Sequence, residues 1–412
     1  MKILIVNTSD IQGGAARAAY RLHQALLAEG VDSQVLVQSK SSDDFTVIGP
    51  QTKIQKALGK LRPTLDSLPV QRYKDRTKTL FSPSWVPFAG LVEKVNTINP
   101  DVVHLHWIAG GMMRIEDIAK IKAPIVWSLH DMWAFTGGCH YDEECGEFKN
   151  ACGACPVLGS KKSKDLSAKV WQRKQVSFTK HPNLTIVGLS QWLANAAKAS
   201  SLFDSTSVVN LPNPIETNTF SPFDKQQARE LFNLPLDKKL VLFGAMGATS
   251  DPRKGFMELT QALALLDSQN TELVVFGSSA LQTAQGFKQK AHYLGQLHDD
   301  VSLRVLYSAA DVMVVPSLQE NLSNAIMESL ACGTPVVGFE IGGNSDLIEH
   351  QQTGYLAKPF EVSDLAAGLD WVLNTPTYVD LCQNARYKVL REFDSQVVAA
   401  KYIDLYHSVI KG

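Results

Sequence analysis

Short apolar runs alternate with stretches of helical composition along the whole chain. Runs such as residues 2–6, 125–129 and 311–315 have the length and composition of buried strands. Most are followed by a loop rich in glycine or polar residues, and then by a helical segment. This repeated strand–loop–helix order predicts an α/β fold with parallel sheets, whose ligands bind outside the carboxyl ends of the strands.

The alternation breaks at Pro212-Asn213-Pro214, and strands are predicted on both sides of that break. A chain of 412 residues is also long for one core. We therefore predict two doubly wound domains, residues 1–212 and residues 213–388. The predicted strands are residues 2–6, 31–37, 101–107, 125–131, 185–190 and 208–211, and then 239–243, 272–276, 292–294, 311–315, 335–339 and 354–357.

The stretch from residue 311 to residue 337 contains the most informative of these units. Pro316 ends its first strand, and Ser323 or Asn324 can cap the helix that follows. The backbone N–H groups of residues 322–324 would point into the crevice at the strand ends. A helix N-terminus in that position binds phosphate.

Two carboxylates accompany this helix. Glu320 lies just before it, and Glu328 lies one turn after Asn324. Both could therefore border a single bound ligand. The alternative is that Glu320 is a surface loop residue and Glu328 a solvated helix residue, because most glutamates are exposed.

Two further loops follow predicted strands. Arg253 and Lys254 could clamp two phosphates, the arginine through its planar fork and the lysine as a point charge. Gly13 and Gly14 would let the backbone approach a ligand closely. The alternatives are an exposed pair of cations and an ordinary turn.

These features together resemble a known family. Two glutamates separated by seven residues, after Pro316-Ser317 and before Ala331 to Pro335, resemble the signature of glycosyltransferase family 4. Further stretches that resemble family landmarks are residues 213–220, 251–255 and 341–343. Many members have glycines and an aromatic residue where this chain has Asn321-Leu322-Ser323, so the resemblance does not specify the donor sugar.

The resemblance implies an α/β chain with the GT-B fold, in which two doubly wound Rossmann-like domains flank a cleft. It also implies that a final helical segment, residues 389–412, crosses back to the N-terminal, acceptor-side domain. The implied reaction is retaining transfer of a hexose from a nucleotide diphosphate sugar, a UDP-sugar, to a glycan or lipid-linked sugar acceptor. Such a reaction would serve polysaccharide or glycolipid biosynthesis.

The resemblance also implies roles for individual residues. Glu320 would hold donor-sugar hydroxyls or face the anomeric carbon, His130 would approach the sugar and acceptor, and Glu328 would bind the ribose. Gly277 and Leu297 would line the base pocket. The remaining donor-binding residues are Gly13, Gly14, Arg253, Lys254, Asn321, Leu322, Ser323 and Asn324. No metal ion is expected to be required for catalysis.

Three histidines lie on two neighbouring predicted strands. A histidine on a strand is more often structural than catalytic, and we assign His104 and His106 to that class. His130 differs because it stands at the carboxyl end of its strand, where the crevice is expected.

Residues 139–155 form a cysteine-rich insertion that holds four of the six cysteines. A reducing compartment disfavours disulfides. The four thiols of Cys139, Cys145, Cys152 and Cys155 could therefore hold a structural zinc ion in tetrahedral geometry. Free thiols or a disulfide are the alternatives.

Residues 53–80 are basic and carry leucines at roughly helical spacing, with Pro63 expected to kink or split the helix. Such a segment can rest on an anionic membrane or hold a phosphorylated acceptor. The alternative is that its leucine face packs on the domain.

The composition limits the classes of partner and the cellular location that we expect. The net charge of −1 gives no reason to expect nucleic acid. We find no apolar run long enough to span a membrane and no signal-peptide pattern, so we expect a cytoplasmic protein, with peripheral contact to the inner face of the membrane. Two other functions fit the same pattern: a nucleotide-sugar 2-epimerase and a non-catalytic nucleotide-sugar-binding module.

Overall fold

The structure is a computed structural model that describes residues 1–181, 183–244, 251–266, 269–277, 287–297 and 299–411. The chain forms two compact units, Met1–Asn213 with Val398–Gly412, and Pro214–Val397. The predicted division after residue 212 lies next to this boundary. The chain returns to the first unit at Val398 rather than at residue 389.

The first unit is built on a seven-stranded sheet in which every paired strand is parallel. Its strands are β1 (Lys2–Ser9), β2 (Asp32–Ser39), β3 (Val47–Ile48), β4 (Val102–Leu105), β5 (Ile125–Leu129), β6 (Leu184–Gly188) and β7 (Ser207–Asn210). Their order is β3-β2-β1-β4-β5-β6-β7. The short edge strand β3 was not predicted.

The second unit is built on a six-stranded parallel sheet in the order β10-β9-β8-β11-β12-β13. Its strands are β8 (Lys239–Gly244), β9 (Thr271–Phe276), β10 (Ala291–Tyr293), β11 (Val312–Val315), β12 (Val336–Phe339) and β13 (Gly354–Ala357). Each matches a predicted strand to within a residue or two. The strand order reverses direction at β8 and β11, where ligands bind in such sheets.

Helices connect most of these strands. They are α1 (Gly14–Ala28), α2 (Lys53–Ser67), α3 (Leu91–Ile98), α4 (Ile115–Ile118), α5 (Leu166–Phe178), α6 (Gln191–Lys198), α7 (Lys225–Leu231), α8 (Phe256–Leu263), α9 (Asp300–Ala309), α10 (Asn324–Ala331), α11 (Asn344–Leu347), α12 (Val362–Asn374), α13 (Tyr378–Glu392) and α14 (Ser395–Lys411). Short 3-10 turns are Val70–Arg72, Trp133–Phe135, Glu147–Lys149, Ser201–Phe203 and Pro252–Lys254.

The first sheet is covered on both faces, which explains why its strands are apolar without alternation. Along β1, Leu4 and Val6 belong to one buried cluster, while Ile3 and Ile5 belong to another. The second of these clusters includes Tyr402 and other residues of α14. The last helix therefore completes the core of the first unit.

The predicted split of α2 at Pro63 is wrong, and the kink that we gave as the other outcome stays a prediction. Proline lacks the N–H that would bond to the carbonyl of Gly59, one turn earlier. The side-chain amide of Gln38 donates to that carbonyl at 3.3 Å instead. The helix runs unbroken from Lys53 to Ser67, and an outside donor satisfies the carbonyl that proline leaves without its helical bond.

Candidate functional site

Three loops meet at the carboxyl edge of the second sheet, and we call them the three-loop cluster: residues 251–255, 316–323 and 341–343. Gly255 has φ 70°, and a Cβ there would lie 1.8 Å from the carbonyl oxygen of Pro316. Gly342 has φ 51°, and a Cβ there would lie 1.8 Å from the carbonyl oxygen of Glu320. Both contacts require glycine, so these two loops pack directly on the loop that follows β11.

The cluster brings opposite charges together. Lys254 Nζ lies 3.0 Å from Glu320 Oε2, with side chains 28% and 15% exposed. Arg253 donates to both carboxylate oxygens of Asp251, at 2.7 and 3.1 Å, and this pairing lowers the pKa of Asp251. Both cations therefore lie at the loop surface, where an anionic ligand could compete with their carboxylate partners.

The predicted helix start is confirmed, since Ser323 is the N-cap of α10. Its hydroxyl accepts from the backbone N–H of Ile326 at 3.5 Å. Asn321, Leu322 and Ser323 are all buried against the unit. The first turn of α10 is thus fixed in place at the sheet edge that also carries Arg253 and Lys254, in the loop of residues 251–255, which we call the cation loop.

Glu328 is not a solvated helix residue. Its side chain is only 4% exposed, and its Oε2 accepts from the hydroxyl of Tyr307 on α9 at 2.9 Å. A carboxylate is rarely buried without partners, because leaving water carries a large free-energy cost. The alternative in which Glu328 is a solvated helix residue is therefore wrong.

The two residues predicted for the base pocket follow β9 and β10. The N–H of Gly277 donates to the carbonyl of Gly295 at 2.7 Å, and half-buried Leu297 lies two residues further along. The structure thus brings the two strand ends together. Residues 278–286 and 298, which adjoin this place, lie outside the described residues.

In the first unit, the predicted glycine loop follows β1 and begins α1. Gly13 is the N-cap at φ 97°, and among the described residues no atom beyond its chain neighbours lies within 4 Å of a Cβ built there. Its left-handed conformation, rather than crowding, is what requires glycine at this position.

His130 extends beyond β5 and touches a second histidine. Its Nε2 lies 2.9 Å from Nδ1 of His106, which follows β4. Burial lowers the pKa of His130 to about 4 and that of His106 well below its ordinary value. The two rings are therefore a neutral, hydrogen-bonded pair at pH 7.

Asp131, the next residue, anchors the cysteine-rich insertion. Its Oδ2 accepts from Nδ1 of His140 at 2.6 Å and from the indole N–H of Trp107 at 2.9 Å. The other ring nitrogen of His140 lies 2.9 Å from the hydroxyl of Ser82. These bonds hold the insertion beside His130.

Comparisons with known proteins agree with this geometry. A family profile described as Glycosyltransferase Family 4 matches residues 12–218, about half of the chain. A second profile, described as Glycosyl transferases group 1, matches residues 237–375. The chain belongs to glycosyltransferase family 4. The family resemblance predicted from the two glutamates is thereby confirmed.

Three proteins similar to this glycosyltransferase over nearly its full length share little sequence identity with it. A D-inositol 3-phosphate glycosyltransferase of Arthrobacter sp. is 24% identical, covering 97% of this chain and 90% of its own. Sucrose-phosphate synthase from Thermosynechococcus elongatus superposes with a TM-score of 0.69 at 19% identity, covering 100% and 99%. Anabaena HepE, in complex with UDP and glucose, gives 0.65 at 18%, covering 99% and 100%. These likenesses confirm the predicted GT-B fold.

The glycosyltransferase's four clustered cysteines are all free thiols. A hydrogen bond between the thiols of Cys139 and Cys155 raises the pKa of the first and lowers that of the second. Burial raises the pKa of Cys152 to about 12. Within the described part of the chain, no three His, Cys, Asp or Glu side chains are arranged to hold a metal ion. The structural zinc ion at Cys139, Cys145, Cys152 and Cys155 stays a prediction.

Helix α2 places its leucine face outward. Leu58 and Leu61 are 50% and 56% exposed, whereas Arg62 and Asp66 are buried. The alternative in which the leucines pack on the domain is therefore wrong. Among the described residues, no helix combines the length and apolar character needed to cross a bilayer.

Sequence reasoning missed several contacts of the predicted site residues. His106 was assigned to the structural class, and Asp131, His140 and Tyr307 were given no role. One signal was available: His104 and His106 alternate on one strand, so both point to the same face. His106, just after β4, therefore projects beside His130, just after the neighbouring strand β5.

Proposed function

We propose that this glycosyltransferase moves a hexose from a UDP-sugar to a glycan or lipid-linked sugar acceptor, with retention of configuration. We place it in the cytoplasm, peripheral on the inner face of the membrane. The observation that carries the proposal is the contact between Lys254 and Glu320 at 3.0 Å. It joins the cation loop to the first glutamate of the family signature within one unit.

The leaving diphosphate gathers negative charge as the bond to the sugar breaks. Arg253, Lys254 and the N-terminus of α10 present positive charge at one sheet edge, where preorganised groups stabilise the transition state. Since these groups already supply the charge, we propose that catalysis needs no metal ion. Arg253 and Lys254 would exchange Asp251 and Glu320 for phosphate oxygens when the donor binds.

The two glutamates then take different roles. Glu320, released from Lys254, would hold hydroxyls of the donor sugar or face its anomeric carbon. Glu328 would accept from the ribose hydroxyls, and the hydroxyl of Tyr307 fixes the position of its carboxylate. His130 would orient the sugar or the acceptor as a neutral imidazole.

The comparisons support a UDP-hexose. The Anabaena structure similar to this chain contains UDP and glucose. A base pocket near Gly277 and Leu297 would recognise uracil through backbone groups.

A donor panel tests this function. The protein is incubated with UDP-glucose, UDP-galactose, UDP-N-acetylglucosamine and GDP-mannose, and the release of nucleotide diphosphate and free sugar is followed. We expect slow hydrolysis of one UDP-hexose, and proton NMR of the first-formed sugar should show the donor's anomeric configuration.

Three outcomes would contradict the proposal. Free sugar epimerised at carbon 2 would indicate a 2-epimerase. Binding of UDP without turnover of any donor would indicate a binding module. Hydrolysis of GDP-mannose alone would reject the uridine donor. A Lys358→Met variant serves as a control, because it removes only an exposed ion pair with Glu361 at 3.8 Å. It should hydrolyse the same donor as the wild type.

A further inference from the structure

Helix α2 is attached to the first unit through polar residues. Arg62 is buried and donates its Nε–H to the carbonyl of Gly111 at 2.7 Å. The carboxylate of Asp66 is 2% exposed and accepts from the backbone N–H groups of Ser84 and Trp85 at 3.3 and 3.1 Å. The apolar side of the helix is thereby left for another occupant.

That apolar side is one continuous stripe. At about 100° per residue, its members fall within an arc of about 80° around the helix axis. The stripe consists of Ile54 (73% exposed), Leu58 (50%), Leu61 (56%), Leu65 (41%) and Leu68 (43%). A stripe of this size is unusual on a surface that faces only water.

Cations flank the stripe on one side, where Lys53 and Lys60 fall about 100–120° from its centre at 100° per residue, and further cations follow it in the chain. The exposed ones are Lys53, Lys56 and Lys60 on α2, followed by Arg72, Lys74, Arg76 and Lys78. Asp75 is the only exposed acid in residues 53–80, since Asp66 is buried. Apolar side chains bordered by lysines favour an occupant that is apolar and anionic at once.

A groove of about 500 Å³ lies next to this surface. Trp85, 42% exposed, forms one wall. The groove is lined by Trp85, Arg114, Glu116, Leu166, Lys169, Val170 and Arg173. The lining holds three cations and one carboxylate. Arg173 contacts Glu116 at 2.6 Å, and Arg114 lies 3.8 Å from Glu116 and 3.7 Å from Asp117, so the exposed Lys169 is the cation left to attract a ligand. An anionic group is therefore the ligand that this lining favours.

The stripe and the groove are parts of one surface. The indole N–H of Trp85 donates to the backbone carbonyl of Asp66, whose neighbour Leu65 belongs to the stripe. Arg173, which lines the groove, donates to the carbonyls of Pro83 and Ser84, just before Trp85 in the chain, at 2.8 Å. One ligand could therefore lie along both.

We propose that this surface docks on a membrane that contains phosphate-bearing lipids. The α2 stripe enters the apolar layer, and the groove beside Trp85 holds the phosphate headgroup of the lipid-linked acceptor. This docking deepens the peripheral membrane location of the proposed function, and the acceptor's identity rests on that function, whereas the contact itself can be tested without any transfer activity. A second copy of the chain fits less well, because a symmetric contact would bring the same cations together.

Vesicle flotation at low ionic strength tests the docking without any donor sugar. The wild type should float with phosphatidylcholine vesicles containing phosphatidylglycerol, and much less with phosphatidylcholine alone. A variant with Lys53, Lys56 and Lys60 changed to Glu should lose at least ~10-fold in bound fraction, since each cation contributes separately. The double variant Leu58→Gln and Leu61→Gln should lose as much, at low and at high salt.

The matched control is Leu231→Gln with Leu236→Gln, which alters two leucines of the second unit that are 68% and 53% exposed. It should float like the wild type. No flotation of the wild type, or equal losses in the control, would overturn the docking surface. Concentration-dependent dimerisation, lost in the Leu58 and Leu61 variant and without flotation, would assign the stripe to a second copy and overturn it too.

The headgroup site has its own test. At equal lipid charge, the wild type should bind vesicles with phosphatidic acid, a phosphomonoester, at least ~5-fold better than vesicles with phosphatidylglycerol. Lys169→Ala and Trp85→Ala should abolish that preference, while Lys198→Ala, on α6, should keep it. Equal binding to both vesicle types by the wild type would overturn the groove's role. Inorganic pyrophosphate that binds without reducing flotation would do the same, because the groove would then serve a soluble anion.

Discussion

The two units build their candidate sites in opposite ways. In the second unit, charged side chains at three neighbouring loops remain partly solvated, as Lys254 and Glu320 do. In the first unit, buried and uncharged imidazoles connect segments far apart in the chain, as His104 and Tyr406 do. Charges that keep some water stay available to a ligand, whereas a buried neutral network fixes the fold around one arrangement.

This difference predicts that the stability of the first unit depends on pH more than that of the second unit. Burial lowers the pKa of His23 and His130 to about 4 and that of His104 to about 3. In the second unit, His292 is half-buried and His350 exposed.

The largest effect should be loss of stability of the first unit in mild acid. Between pH 6.5 and 4 the unfolded chain binds a proton at each such histidine while the folded chain does not, so the free energy of unfolding falls as pH falls. A single site such as His23 accounts for up to about 3 kcal/mol at pH 4, and the three together for more. Carboxylates whose pKa is lowered, such as Asp311, lose their contribution only as pH falls below about 4.

Tryptophan fluorescence can follow this loss, because Trp371 is the only one of the seven tryptophans that belongs to the second unit. Denaturant unfolding at pH 7 and pH 4.5 should show a fluorescence midpoint that drops with acid. In His23→Gln, whose side chain cannot take up the proton, the drop should be smaller. Circular dichroism reports both units together. If its transition shifts with acid as a single step that coincides with the fluorescence transition, both units lose the same stability and the proposed contrast is wrong.

The second prediction concerns catalysis and tests the second unit, whose site charges remain partly solvated. Lys254→Met should lower transfer by about 10²–10³-fold, or roughly 3 kcal/mol, because one preorganised cation is removed from the leaving diphosphate. Stability should change by less than about 1 kcal/mol, since a partly exposed ion pair adds little. Initial rates with a saturating acceptor and thermal unfolding measure the two effects. The Lys358→Met control should change neither, and a large stability loss in Lys254→Met would show that the pair is structural.

The arrangement of loops and charges at the candidate site of the second unit could be predicted because its information is local. The apolar run of β11, Pro316, the cap Ser323 and both glutamates follow one another within a single stretch of sequence. The parallel sheet then determines which loops become neighbours. What could not be predicted was burial, which depends on packing by a different helix. Glu328 is buried where it contacts Tyr307, and nothing in the local sequence around Glu328 indicates that contact.

The first unit shows the same limit more strongly. The periodicity of α2 correctly predicted a helix, and even its leucine stripe. It could not tell which side faces the core, since that depends on whether Gln38, Gly111 and Ser84 offer polar partners to Arg62 and Asp66. The contact between His106 and His130 likewise depends on the pairing of β4 with β5.

The smallest effect tests the long-range network directly. The hydroxyl of Tyr406 on α14 lies 2.7 Å from Nδ1 of His104, 302 residues away in the chain. The other nitrogen of His104 lies 2.8 Å from Ser128, whose hydroxyl also contacts Tyr402. All of these side chains are buried. The network therefore joins the last helix to strands β4 and β5.

Tyr406→Phe should destabilise the first unit by about 1–2 kcal/mol, because it leaves a buried ring nitrogen without its partner. Tyr387→Phe is the matched control, since that tyrosine is 62% exposed on α13 and should change stability by less than about 0.5 kcal/mol. In a chain that already carries His104→Leu, the Tyr406→Phe change should become nearly neutral, since the two residues share one interaction. Equal costs with and without His104 would show that packing of the Tyr406 ring, rather than its hydrogen bond, attaches α14 to the first unit. The buried network would then stabilise that unit no more specifically than ordinary apolar contacts do.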